Sequence, residues 1–215
     1  MRLVLLGPPG VGKGTQASAI KEQLSVPHIS TGDMLREAIA RGTPVGRVAK
    51  KIVDAGDLVP DEVMADMVRE RLGADDASRG FILDGYPRTL GQGKTLRDIL
   101  QDDGKVLDHA ICLTVEREEI IRRLASRRTC AACGALYNLN GSPPRTEGRC
   151  DQCSGNLLQR DDDREEVISR RLAVYEEMTR PLIGFYREEG ILREIDAGGT
   201  VQEVGRRVTE ALKAA

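Results

Sequence analysis

Short unbroken apolar runs alternate along this chain with longer segments whose apolar residues recur three and four positions apart. The runs at residues 3–6 (LVLL), 81–83 (FIL) and 110–115 (AICLTV) offer almost no polar face to water, so they read as strands buried from both sides. Residues 28–30 and 191–195 carry weaker signals of the same kind. Between the runs the helical period takes over. Ile168, Leu172 and Tyr175 form one stripe on a helix expected to start near Arg164. Strand alternating with helix predicts an α/β fold, a five-stranded parallel sheet with helices on both faces. Two stretches break the rhythm. Residues 30–59 read as short helices rich in charge and glycine, and residues 126–163 hold Pro143, Pro144 and several turn-forming residues. Segments of that length are insertions rather than connections. The organisation expected is a core from residues 1–29, 60–125 and 164–215, carrying insertions at 30–59 and 126–163.

Composition changes this picture little but excludes some partners. A chain of 215 residues buries roughly 70% of its unfolded surface, enough for a core without covalent staples. With no Trp and two Phe, that core must be aliphatic. A net charge of −2 lacks the basic excess of a nucleic-acid binder. The run at 3–6 ends at Gly7, Pro8 and Pro9, too short for a signal peptide or a membrane span. The expectation is a soluble cytoplasmic protein with reduced thiols and with neither a nucleic-acid nor a membrane partner.

The first candidate chemistry follows the first strand directly, in GPPGVGKGT at residues 7–15. Glycines let successive backbone N–H groups turn toward phosphate oxygens, the following helix adds its positive end, and Lys13 adds a full charge. Gly10, Val11, Gly12, Gly14 and Thr15 complete this phosphate-binding loop. Its pattern is shifted, because Gly14 separates Lys13 from the hydroxyl of Thr15. Asp84 closes the run at 81–83, at the carboxyl edge where such sheets bind ligands. There it either holds Mg²⁺ through the ion's waters or caps a turn.

Several further motifs follow in order: STGDMLR, LDGYPRT with a later Gln, RRTC, LLQRDDDREEV and RRLAVY. Together with the shifted loop they resemble the nucleoside monophosphate kinases, the adenylate kinases most closely, over almost the whole chain. The resemblance implies transfer of the terminal phosphoryl group of MgATP to AMP, giving two ADP, by a monomer. It implies AMP contacts at Thr31 and Arg36, at the backbone of Asp57, Leu58 and Val59, and at Gly85, Tyr86, Pro87, Arg88 and Gln92. Gln92 would read the adenine edge, since an amide both donates and accepts. For ATP it implies Arg127, Arg123 against the base, Leu136 and Tyr137 in a lid, and backbone at Gly199. Arg160 and Arg171 would clamp phosphates, touching AMP as well.

Phosphoryl transfer to an ionised phosphate needs alignment and charge neutralisation but no general base. Lys13, Arg88, Arg127, Arg160 and Arg171 supply the cations. His28 and His109 read as satisfied structural histidines, and Arg164 and Arg170 as ordinary helix-surface charges. Asp161–Asp163 precede a helix and read as its N-cap; by resemblance, Asp162 and Asp163 are also an acidic pair at the lid hinge, bonding ribose or lid backbone.

Four of the five cysteines form two pairs, Cys130 with Cys133 and Cys150 with Cys153. Two CxxC units across a loop match a four-thiolate zinc site better than disulfides, a redox pair or metal-free packing, and such a site would be structural because no coordination position stays open. Cys112 lies in an apolar run and reads as a buried strand residue. The competing functions are a kinase for UMP, CMP or GMP, a zinc-ribbon nucleic-acid adaptor and a phosphate-loop switch without an acceptor. Pyrimidine-directed members of the resembled family carry a shorter lid, and charge balance weighs against the adaptor.

Overall fold

The structure, a computed structural model, describes residues 1–213; Ala214 and Ala215, the end of the expected 164–215 segment, lie outside the described residues. In chain order the elements are β1 (Arg2–Leu6), α1 (Lys13–Leu24), β2 (His28–Ser30), α2 (Thr31–Ala40), α3 (Pro44–Asp54), α4 (Asp61–Leu72), β3 (Phe81–Asp84), α5 (Leu90–Asp102) and β4 (His109–Thr114). There follow α6 (Arg117–Ala125), β5 (Arg127–Cys130), β6 (Leu136–Asn138), β7 (Leu157–Leu158), α7 (Glu165–Val174), α8 (Pro181–Glu188), β8 (Leu192–Asp196) and α9 (Val201–Lys213). All five apolar runs are strands of one parallel sheet, in the order β2-β3-β1-β4-β8.

The two-residue period of each strand sorts the core into two layers. Val4, Leu6, Ile29, Leu83 and Ala110 pack on one side with residues of α4, α5 and α8. Leu3, Leu5, Ile82, Ile111 and Leu113 pack on the other with α1 and α9. Leu3, Val4, Ile82, Leu83, Ile111 and Leu113 are completely buried, which is why their sequence shows a run instead of an alternation. Consecutive loops at the carboxyl edge of this sheet are where ligands bind in such folds.

The two insertions are built differently. In residues 30–59, Ser30 caps α2 by accepting from the Asp33 N–H at 3.2 Å, and Thr43 caps α3 by accepting from the Gly46 N–H at 3.1 Å. Gly46 lets the pair close up, since a Cβ there would lie 2.0 Å from the Ala38 carbonyl oxygen. In residues 126–163, β5 pairs antiparallel with both β6 and β7. The sequence pattern predicts only turns there. These strands are four, three and two residues long, and Leu136 and Leu158 are exposed, so no apolar run marks them.

Candidate active site

The phosphate loop leaves β1 and enters α1 through Gly12, whose left-handed backbone (φ 110°) makes it the helix N-cap. Gly7 passes so close to β4 that a Cβ would lie 2.4 Å from the Leu113 carbonyl oxygen. Lys13 folds back over the loop and donates to the Gly7 and Pro8 carbonyls at 2.7 and 3.0 Å. Burial pushes its ammonium down to about 8 against the pull of Asp84. Thr15 is exposed at the first turn of α1. Gly14 makes room for Asp84, as a Cβ there would lie 3.3 Å from Asp84 Oδ2. Burial works to raise the Asp84 carboxyl, but His28, Lys13 and Arg88 outweigh it and hold it below the usual carboxylate range. Among the described residues its carboxylate caps no turn, which removes that reading; its neighbour is His28, with Nε2 3.5 Å from Oδ2.

Arg88 is fixed from three sides. Its Nε donates to the Gly85 carbonyl at 2.8 Å. Its carbonyl accepts from Thr179 Oγ1 at 2.8 Å, which a π-helical turn at Tyr175–Thr179 carries between α7 and α8. Its backbone N–H donates to Gln92 Oε1 at 2.8 Å. Burial, then the Arg171 charge, bring the Arg88 guanidinium down to about 10. Burial, then Arg36 and Arg127, do the same to Arg160, also to about 10. Burial lowers Arg171 in the same direction. These groups therefore crowd one another out of water before any anion is bound.

Two of their counter-ions are Asp162 and Asp163. Asp163 is wholly buried at its side chain and accepts from Arg127 Nε and Nη2 at 2.7 and 2.6 Å, a two-pronged grip. Arg171 Nη1 reaches Asp162 Oδ2 at 3.0 Å and Asp163 Oδ1 at 3.1 Å. The expected capping role fails: Asp161–Asp163 form a separate 3₁₀ turn, and α7 has Arg164 at its cap with no side-chain bond. The stronger attraction of two half-buried guanidinium groups takes Asp162 and Asp163 instead. The Asp163 carbonyl accepts from Gln159 Nε2 at 3.0 Å.

On the other side of Arg88, Thr31 Oγ1 donates to the Asp84 carbonyl at 3.3 Å, and Gly85 leaves space for both, since a Cβ there would sit 2.8 Å from that hydroxyl. Tyr86 is buried, and Gln92 is 2% exposed. Arg36 pairs with Asp33 one helical turn away. Asp57 is half-exposed and pairs with Arg170 at 2.7 Å, followed by Leu58 and the buried Val59. Across the phosphate loop, Arg123 donates from Nη1 to the Val11 carbonyl at 3.1 Å and from Nη2 to the Ala197 carbonyl at 3.0 Å. Gly199 follows two residues later.

Comparison with known proteins agrees with this geometry. The family model for adenylate kinase matches residues 5–191. Curated proteins named adenylate kinase match essentially end to end. That of Geobacter sp. (strain M21) is 50% identical over 214 residues, covering 100% of both chains. That of Acidothermus cellulolyticus is 53% identical over 213 residues, 99% of this chain and 98% of its own. That of Archaeoglobus fulgidus is 48% identical over 213 residues, again 99% and 98%. The chain belongs to the adenylate kinase family. Its activity is that family's, an ATP:AMP phosphotransferase, and the α/β fold expected from the apolar runs is the fold found.

Beyond the reaction centre of this adenylate kinase family member, the four cysteine Sγ atoms lie within 4.8 Å of one another. The Cys130–Cys153 and Cys133–Cys150 separations are 3.4 and 3.5 Å. A zinc tetrahedron with 2.3 Å bonds has edges of about 3.8 Å, so the donor set fits zinc. Gly155 keeps the centre open, since a Cβ there would lie 3.0 Å from Cys130 Sγ. Tyr137 turns its hydroxyl to within 3.4 Å of Cys150 Sγ while accepting from the Asp151 N–H at 2.7 Å. That contact is the main influence holding the Cys150 thiol down to about 6. Cys112 is buried in β4 as expected, and burial pushes its thiol up to about 11.

Sequence reasoning missed several partners. One nitrogen of each histidine is buried without a close hydrogen bond, His28 Nε2 standing 3.5 Å from Asp84 Oδ2 and His109 Nδ1 facing no partner. Arg164 is the surface charge expected, paired only with Asp161, but Arg170 links α7 to the 30–59 insertion through Asp57. Asp61 joins Gln92 and Thr89 across two helices. No local motif announces these contacts.

The Lys13 geometry sets a pH dependence. Burial holds the free ammonium near 8, whereas phosphate oxygens stabilise its charged form and raise it. If Lys13 meets the ATP phosphates, binding MgATP should take up protons at pH of about 8.5 and almost none at about 6.5. Calorimetry in buffers of different ionisation enthalpy measures the uptake, which Lys13→Met abolishes; equal uptake at both pH values contradicts the assignment.

Proposed function

We propose that the chain transfers the terminal phosphoryl group of MgATP to an AMP oxygen, reversibly, through a site built from its own cations. The observation that carries this is the set of buried or half-buried positive groups, Lys13, Arg88, Arg127, Arg160 and Arg171, facing one another across the phosphate loop and the hinge. An ionised acceptor needs alignment and charge stabilisation, which forked guanidinium groups supply. In this proposal the backbone of Gly10, Val11, Gly12, Gly14 and Thr15 cradles the ATP phosphates. Arg123, Gly199, Leu136 and Tyr137 border its base. Thr31, Arg36 and the backbone of Asp57, Leu58 and Val59 take one side of AMP, and Gly85, Tyr86, Pro87, Arg88 and Gln92 the other.

Residues 1–29, 60–125 and 164–215 would form the core, 30–59 the AMP-binding insertion and 126–163 the lid, hinged at Asp162 and Asp163. Lid closure excludes the water that competes with AMP for the phosphoryl group. Asp84 would hold magnesium through its waters, and the ion's chemistry is to neutralise charge on the ATP phosphates. Cys130, Cys133, Cys150 and Cys153 would hold one structural zinc. Such a lid has no apolar core, and zinc binding in small modules contributes about 10–16 kcal/mol of apparent free energy. A cytoplasmic monomer completes the proposal. Among the described residues no helix is long and apolar enough to cross a membrane.

A coupled assay of MgATP with AMP, UMP, CMP and GMP should give diphosphate fastest with AMP. Equal rates with UMP would remove the AMP preference, and no transfer to any acceptor would remove the kinase. In the same assay Arg88→Ala should reduce kcat about 10³-fold; a loss below tenfold, about 1.4 kcal/mol, contradicts its role. Metal analysis should find one zinc per chain. Stripping it should lower Tm by at least about 4 °C, the equivalent of more than 1 kcal/mol at this size; unchanged melting after verified removal contradicts a structural metal.

A further inference from the structure

Asp61 begins α4, where a carboxylate ordinarily serves its own helix end. Both of its oxygens instead cross to the start of α5. Oδ1 accepts from Gln92 Nε2 at 2.7 Å, and Oδ2 accepts from Thr89 Oγ1 at 2.7 Å. Gly91 clears the approach, since a Cβ there would lie 3.0 Å from Asp61 Oδ2. On the opposite edge of the same amide, Gln92 Oε1 accepts from the Arg88 backbone N–H at 2.8 Å. The Gln92 side chain is thus held between a group that only accepts and a group that only donates.

We propose that Asp61 is a specificity-determining positioning residue, which locks the orientation of the Gln92 amide and thereby selects 6-aminopurine over 6-oxopurine monophosphates. This rests on Gln92 being the base reader, as proposed above. A primary amide has nearly the same shape after a half-turn, so only its partners decide which end is which. A carboxylate demands the NH₂ end, and a backbone N–H demands the oxygen. Turning the amide over would set oxygen against carboxylate and NH₂ against N–H, breaking both bonds in a residue that is 2% exposed.

The locked amide keeps one N–H and one oxygen lone pair that no other group among the described residues takes. Adenine offers the complement, an acceptor at N1 beside a donor at N6. Hypoxanthine offers the reverse, a donor at N1 beside an acceptor at O6, and would need the amide turned over. A site whose buried polar groups are left unpaired by the wrong ligand discriminates more strongly than shape alone. Asp61→Asn removes one of the two constraints, because an Asn amide can present either a donor or an acceptor to Gln92; turning the amide over then costs only the bond from the Arg88 N–H.

The test is steady-state kinetics of the whole enzyme with AMP and with IMP, in wild type, Asp61→Asn, Asp61→Glu and Gln92→Ala. In Asp61→Asn the AMP-to-IMP ratio of kcat/KM should fall at least about tenfold, as the KM for AMP rises and IMP becomes a better acceptor, with the KM for MgATP unchanged. Asp61→Glu, which still only accepts, should keep most of the ratio. A merely structural Asp61 would lower Tm and turnover with both acceptors alike and leave the ratio intact, which overturns the proposal. A KM for AMP that falls in Asp61→Asn would mean that the carboxylate competes with the base, and overturns it too. If Gln92→Ala leaves the KM for AMP unchanged, the base-reading role itself fails. If Gln92→Ala raises it while Asp61→Asn leaves the ratio untouched, only the positioning role fails.

Discussion

Holding several positive charges together out of water is the constraint from which the rest of this structure follows. Burial lowers Lys13, Arg88, Arg160 and Arg171, and in the three arginines neighbouring guanidinium groups add to the effect. Such a cluster stands only where counter-ions are built in. Asp84 faces Lys13 and Arg88, while Asp162 and Asp163 hold Arg171 and Arg127. Removing one member of a buried pair typically destabilises by about 3–5 kcal/mol, because the survivor stays charged and unpartnered. The acids balance the cluster only in part. The remaining field is what an incoming triphosphate and monophosphate would neutralise, so that binding and charge relief are one event.

The scaffold serves that constraint with a parallel sheet where atoms must be aligned and with two small inserted units beside it. The parallel sheet delivers β1, β2 and β3 with their carboxyl ends side by side, which sets the phosphate loop beside Asp84 and Thr31. The two insertions solve their own folding in opposite ways. Residues 30–59 pack two capped helices at a glycine contact. Residues 126–163 have three very short strands and exposed leucines, and bring four thiols together. Tyr137 ties that thiol cluster to the strand expected to border ATP. The same side chain would thus serve both the internal order of residues 126–163 and the proposed nucleotide contact.

Much of the fold was legible because it is written in covalent spacing. Apolar runs of three to six residues mark the strands of the sheet, and all five runs are strands within about one residue of their expected bounds. Glycine and lysine spacing marks the phosphate loop, and the two CxxC units mark the thiol cluster. The lid strands were not legible. A two-residue strand has no periodicity, and β5, β6 and β7 contribute no apolar face to a core. The Asp161–Asp163 triplet misled for a related reason. Its position before a helix suggests capping, and only the approach of Arg127, some 36 residues earlier in the chain, draws Asp163 away.

The sequence by itself determined the alternation of strand and helix, the loop chemistry and the metal-binding spacing, since each depends on neighbours a few residues apart. Tertiary structure alone decided which carboxylate faces which cation, that His28 stands beside Asp84, and that Asp61 grips Gln92 from another helix. Those contacts join residues separated by tens of positions. Their strength comes from burial and from the direction of donors and acceptors, and neither exists until the sheet has brought the loops together.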